Sequence, residues 1–162
     1  MHRLRIYLDT SVISLLFQDE AGERQEVSRD FFLNIVSPRI HDVFISAVVL
    51  EEISRTPDLK RREAMVNIVR AYQLPLLAFD PADDVLLRLA SLYIELGIIP
   101  SNKRRDALHV AVATIHEMDM LATWNYRHLA GVDREARIAL ANVSSGFTKP
   151  LRLITPLEVA YP

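Results

Sequence analysis

Arg5-Ile-Tyr-Leu-Asp-Thr-Ser-Val-Ile-Ser-Leu-Leu16 begins with an apolar run, Ile6 to Leu8, that ends on a carboxylate at Asp9. Two hydroxyl residues follow, Thr10 and Ser11, and a second apolar run starts at Val12. The pattern reads as a buried strand over Leu4–Asp9 that turns at once into a helix over Ser11–Phe17. In open α/β sheets, ligands bind at the carboxyl ends of the strands. Asp9 therefore has two readings. It caps the following helix, as Asp, Ser and Thr often do, or it is a functional carboxylate delivered to a cleft. The rest of the chain has to decide.

Composition narrows the classes. A chain of 162 residues can bury a real core with little left for a second, so residues 1–162 are expected to form a single domain. Half of the residues are apolar and a quarter charged, as in ordinary soluble domains. The formal net charge of −2 gives no global basic field, so an anionic polymer would have to be held by a local patch or a metal. The absence of cysteine excludes disulfides, thiolate zinc sites and thiol nucleophiles, and suits the cytoplasm. A strand starts almost at the first residue, which leaves no room for a signal peptide. No apolar run approaches the roughly 18 residues of a membrane span. The expectation is a cytoplasmic protein with no membrane segment.

Onward from Ser11, Gln18–Gly22 is a polar break. Val27, Phe31, Phe32 and Ile35 mark the apolar face of a second helix that Ser37-Pro38 ends. Asp42–Ser46 is a second strand, followed directly by a helix over Ala47–Ile53. Thr56-Pro57-Asp58 separates this helix from another over Leu59–Tyr72. Leu74–Phe79 reads as a third strand, with Pro75 suggesting a sheet edge. Asp80-Pro81 signals a helix over Ala82–Leu96 that stops at Gly97. The loop Ile98–Arg105 carries three consecutive cations. The helix Asp106–Glu117 is apolar nearly all round, which predicts a central, buried helix. Met120–Thr123 is a fourth strand, Asp133–Val143 a helix and Arg152–Ile154 a last strand. This alternation predicts an α/β fold: a three-layer α/β/α sandwich on a mostly parallel sheet of about five strands.

On that fold Asp9, Glu51 or Glu52, Asp106 and Asn125 lie near strand ends that share one edge. Asp106 carries the most weight, because an acid on so apolar a helix is expensive unless paired or metal-bound. Its other reading is a dipole-stabilising anion, worth about 0.3–1 kcal/mol. Lys103, Arg104 and Arg105 stand where a helix start disfavours cations. They grip phosphates, pair with the acids, or form a plain solvated run. Carboxylates forced together repel, and one would keep a proton at neutral pH unless a divalent cation relieved the repulsion. Oxygen ligands without cysteine favour Mg²⁺ or Mn²⁺. His109, three residues after Asp106, lies within hydrogen-bonding reach of it. His109, His116 and His128 read as structural or supporting groups rather than ligands. Trp124 and Tyr126 flank Asn125, where they stack on an unpaired base or belong to the core, the core being favoured for Trp124.

The segments Leu8-Asp9-Thr10-Ser11-Val12, Ser46–Ile53, Asp106-Ala-Leu-His-Val-Ala111 and Leu121-Ala-Thr-Trp-Asn125, with the closing Leu153–Glu158, resemble the PIN-domain family of metal-dependent ribonucleases in order and spacing. The resemblance implies that Asp9, Glu52 and Asp106 are the first three acids of a Mg²⁺ or Mn²⁺ site. Glu52 fits better than Glu51 because an apolar residue, Ile53, follows it. Thr10 or Ser11 matches the hydroxyl beside the first acid, and Lys103, Arg104 and Arg105 would steer RNA phosphates. The fourth acidic position is Asn125, whose carbonyl can ligate but which brings no charge and cannot act as a general base. Among proteins of this size the chain resembles VapC-type toxins of toxin–antitoxin pairs, which implies RNA as substrate, a small antitoxin protein as partner, and a homodimer. With the acids gathered, Asp9 reads as a metal ligand, and capping falls to Thr10 and Ser11.

Two other classes compete with the ribonuclease. One is a PIN-like binding module with weak or no nuclease activity, suggested by Asn125. The other is a phosphatase or receiver domain with Asp9 as phosphoryl acceptor, disfavoured because no second acid lies next to or within two residues of Asp9.

Overall fold

The computed structural model describes residues 2–19, 22–78, 80, 82–125 and 132–160. Among these, the apolar runs form five strands: β1 (Arg5–Leu8), β2 (Asp42–Ser46), β3 (Leu76–Leu77), β4 (Met120–Ala122) and β5 (Arg152–Ile154). They pair parallel throughout, in the order β3-β2-β1-β4-β5. Helices flank the sheet to give the expected three-layer α/β/α architecture. They are α1 (Thr10–Ser14), α2 (Glu23–Phe31), α3 (Ala47–Ser54), α4 (Leu59–Ala71), α5 (Asp84–Glu95), α6 (Arg104–Ile115), α7 (Val132–Ser144) and α8 (Pro156–Ala160).

β1 is central because it is apolar without alternation: Ile6, Tyr7 and Leu8 are all fully buried, as a parallel strand covered on both faces requires. The chain builds outward from β1 to β2 and β3, then returns to lay β4 on the other side of β1. The strand order therefore reverses between β1 and β4, and the carboxyl ends of these two strands flank the crevice where such sheets bind ligands.

Several boundaries move. The first helix is a single α-helical turn that tightens into a 3₁₀ turn at Leu15–Phe17, and α2 continues as a π-helical turn over Phe32–Val36. The third strand shrinks to Leu76–Leu77 at the sheet edge. Pro75 has no N–H to pair and contributes its carbonyl to Ile45 instead. The helix expected from Ala82 starts at Asp84, since Asp83 rather than Asp80 accepts the first free amides, those of Val85 and Leu86. α6 begins two residues early at Arg104, preceded by a 3₁₀ turn at Ser101–Lys103, so the cations stand at the helix start itself. α6 is buried along most of its length, as its composition predicts, and packs against α5. Its last turn is tied down where His116 Nε2 meets the Ala78 carbonyl at 2.6 Å.

Candidate active site

Asp9 follows β1 and is 1 % exposed. Its N–H donates to the Ala122 carbonyl of β4 at 3.3 Å, which seats the carboxylate at the crevice between β1 and β4. One oxygen, Oδ1, accepts the Ser11 N–H at 3.0 Å and the Ser11 hydroxyl. The other, Oδ2, accepts the Thr123 hydroxyl and lies 3.5 Å from Asn125 Nδ2. Asp9 is thus the cap of α1, and the assignment of capping to Thr10 and Ser11 is corrected. A carboxylate has two oxygens, so capping by Oδ1 leaves Oδ2 to other partners, here Thr123 and Asn125, and the two readings of Asp9 are compatible. The Ser11 hydroxyl, which also accepts the Trp124 N–H at 2.8 Å, is fully engaged. Thr10 Oγ1 is buried with no hydrogen-bond partner among the described residues.

Burial pushes the Asp9 carboxyl up to about 6, and the nearby Asp106 charge adds to the rise. The charge of His109 and the hydroxyls of Ser11 and Thr123 pull the other way. A carboxylate raised in this way is one whose negative charge lacks full compensation.

Asp106 lies in the first turn of α6, where the helix dipole favours an anion. It is 8 % exposed, and its Oδ1 accepts the Asn125 amide at 3.2 Å. Asn125 thereby bridges Asp9 and Asp106, three residues beyond the end of β4. Glu52, on α3, is half-buried and meets His109 Nε2 through Oε1 at 2.6 Å. Glu51 is exposed and paired with Arg55, so the geometry separates the two neighbouring acids. His109 does not turn to Asp106: its Nδ1 meets the Tyr7 hydroxyl at 2.7 Å and its Nε2 takes Glu52. Burial works against charging His109, but the Glu52 hydrogen bond and charge, with Asp9 and Asp106, outweigh it and raise its pKa.

A cleft of about 390 Å³ opens at this edge, its wall formed by Glu52, Asp106 and Asn125 together with Lys103, Arg104 and Arg105. Arg104 also reaches Ser91 at 3.4 Å. Asp9 lies behind the wall, bonded to Asn125. Trp124 is packed against the core, with its indole N–H on Ser28 Oγ at 2.8 Å and the Arg24 guanidinium 5.8 Å from its ring. Tyr126 and His128 lie outside the described residues.

The donor chemistry suits a hard divalent cation: two buried carboxylates and an amide, oxygen atoms for ligands and no sulfur. Among the described residues no three His, Asp or Glu side chains are gathered closely enough to hold a metal ion. Glu52 is held at His109, and the fourth position is an amide.

The family model for the PIN domain matches residues 6–135. The chain belongs to the PIN domain family. The match spans Asp9, Glu52, Asp106 and Asn125 and stops inside α7, before β5 and the closing Thr155–Glu158 segment. No curated protein and no solved structure matches the chain. PIN domains are generally nucleases and typically use divalent metals, and in this PIN domain Asn125 links Asp9 and Asp106 beside the crevice between β1 and β4.

Sequence reasoning overlooked Tyr7 and Ser46 as polar partners, and took Thr123 only as the end of the fourth strand. Tyr7 was hidden in an apolar run. Ser46 and Thr123 shared one usable signal, a hydroxyl residue at the carboxyl end of a strand.

Proposed function

We propose that this PIN domain is a Mg²⁺- or Mn²⁺-dependent endoribonuclease that hydrolyses phosphodiester bonds of single-stranded or looped RNA. We further propose that it is the VapC-type toxin of a type II toxin–antitoxin pair, cytoplasmic, working as one domain over residues 1–162, as a homodimer, and neutralised by a small antitoxin protein. The observation that carries the reading is the Asp9–Asn125–Asp106 cluster at the reversal of strand order, with three cations lining the same cleft as Asp106 and Asn125.

Asp9 and Asp106 would hold the cation, with Glu52 as third acid and the Asn125 carbonyl assisting. When bound, a divalent cation supplies Lewis acidity toward a phosphoryl oxygen and makes water more acidic. The chain's own residues do the rest. Lys103, Arg104 and Arg105 draw the phosphates into the cleft and offset their charge. The Thr10 hydroxyl, one residue after Asp9, is buried with no partner among the described residues, so a substrate contact there needs this strand end to open. The Ser11 hydroxyl holds Asp9 Oδ1, so that any part it takes in substrate binding acts through that carboxylate.

The test is cleavage of a structured RNA with added Mn²⁺, comparing wild type with Asp106→Asn. Loss of cleavage in the variant supports the reading, and equal activity in both sinks it. The uncharged Asn125 favours a second reading, a PIN-like RNA- or protein-binding module with weak or no nuclease activity. Calorimetric titration with Mn²⁺ that shows no saturable binding would support the module.

A further inference from the structure

A polar chain crosses the buried core beneath the acids. The Val48 N–H donates to Ser46 Oγ at 3.2 Å. Ser46 Oγ lies 2.7 Å from the Tyr7 hydroxyl, which lies 2.7 Å from His109 Nδ1, and His109 Nε2 lies 2.6 Å from Glu52 Oε1. Ser46, Tyr7 and His109 are at most 2 % exposed. The ends of the chain set its direction. A backbone N–H only donates and a carboxylate only accepts. With a neutral imidazole, Ser46 then donates to Tyr7, Tyr7 donates to Nδ1, and Nε2–H donates to Glu52. Each hydroxyl in this order both accepts and donates. With a charged imidazole Nδ1–H donates to Tyr7, and the bond to Glu52 is the same in both forms.

Each link shares an element with one of the acids. Tyr7 lies on β1, two residues before Asp9. His109 lies on α6, one turn after Asp106. Ser46 caps α3, which carries Glu52. The three elements that deliver the acids are thus joined to one another by hydrogen bonds as well as by packing. An aliphatic side chain at 109 and a phenylalanine at 7 would bury at lower desolvation cost. What the polar pair adds is a fixed orientation for one carboxylate.

We propose that Tyr7 and His109 are positioning residues that fix the Glu52 carboxylate at the cleft it lines with Asp106 and Asn125, so that affinity for a divalent cation depends on a hydroxyl buried in the sheet. The inference rests on the cation-site reading given above. Partners that orient metal ligands typically change affinity by about 10–100-fold when removed.

The experiment is calorimetric titration of the whole chain with MnCl₂, without RNA, for wild type, Tyr7→Phe, His109→Gln and Tyr93→Phe, each checked by thermal melting. Tyr93→Phe is the control: it also removes a buried hydroxyl, bonded to Asn142, but outside this chain of groups. The expected result is Mn²⁺ binding about 10–100-fold weaker in Tyr7→Phe and His109→Gln, with wild-type affinity in Tyr93→Phe. Tyr7→Phe deletes one oxygen and keeps the ring, so it carries the test if His109→Gln does not fold. Wild-type affinity in Tyr7→Phe, or an equal loss in Tyr93→Phe, overturns the inference and leaves the cation site standing. No saturable binding by the wild type overturns both.

Discussion

Asn125 Nδ2 donates to Asp106 Oδ1 at 3.2 Å, which puts a neutral donor where a fourth carboxylate would meet two others. Without a cation, three carboxylates there repel and at least one is forced to take up a proton. Asn125→Asp should therefore destabilise the metal-free protein at pH 7.5 by about 1–3 kcal/mol. At about 2–4 °C per kcal/mol for a chain of this length, the melting point falls by several degrees. Added Mn²⁺ should raise the variant's melting point more than that of the wild type, since binding stabilises the folded state by mass action. Scanning calorimetry in EDTA and in Mn²⁺ measures both effects. An unchanged metal-free melting point would show that the amide is not standing in for charge.

Asp9 makes a pH prediction of definite sign. Its carboxyl rises from 3.8 in the unfolded chain to about 6 in the fold. Between those values the folded state holds the proton that the unfolded state has lost, so stability falls as pH rises from about 4 to about 6 and is level above. At about 1.4 kcal/mol per pKa unit, the fall amounts to about 3 kcal/mol. Asp9→Asn cannot titrate. In EDTA its stability relative to wild type should climb across this window and then plateau, as read from urea unfolding at pH 4.5, 5.5 and 7.5. A difference that stays flat with pH would contradict the raised carboxyl.

Trp124 is the chain's single tryptophan, so its fluorescence reports on one place. Its indole N–H donates to Ser28 Oγ at 2.8 Å and its backbone N–H donates to Ser11 Oγ at 2.8 Å, next to Asp9. Ser28 is fully buried. Ser28→Ala leaves the indole N–H without that partner and should destabilise the fold by about 1–3 kcal/mol. The emission maximum should shift as the ring repacks. Identical emission and identical stability would mean that the ring is held by packing alone.

The fold was legible because its signals are local. Ile6–Leu8 and Asp42–Ser46 read as strands, and the apolar α6 read as central, from residues that are neighbours in sequence. β3 was overread because an apolar run continues past Leu77, while pairing depends on what the adjacent strand can reach. The site was legible only in part. Asp9 and Asp106 stand out as charges at the ends of apolar elements, and a family pattern selected Glu52 over Glu51. The Ser46–Tyr7–His109–Glu52 links join residues 39 to 102 positions apart in pairs drawn from β1, β2, α3 and α6. No periodicity reports a contact of that kind. The capping by Asp9 was missed for a different reason: cap and ligand were weighed as rivals, although one carboxylate oxygen caps α1 and leaves the other free of that task.

A last prediction separates stability from chemistry. Asn142, on α7, is 2 % exposed; it accepts the Tyr93 hydroxyl of α5 and donates to Thr114 Oγ1 of α6 at 3.1 Å. Burial pushes the Tyr93 hydroxyl far above its usual range, so it stays a proton donor at any working pH. Thr114 lies eight residues along α6 from Asp106, about 12 Å at the helical rise, so the network fastens three helices together away from the acids. Asn142→Ala takes an acceptor from the Tyr93 hydroxyl and a donor from Thr114 Oγ1, leaves that pair only their mutual contact at 3.3 Å, and should destabilise the fold by about 1–3 kcal/mol. Mn²⁺-dependent cleavage per folded molecule should stay at the wild-type level below the melting point. Urea unfolding and the RNA assay on the same preparation measure the two separately. A loss of cleavage larger than the loss of folded protein would mean that the helix network reaches the site, and that α6 transmits strain from Thr114 to Asp106.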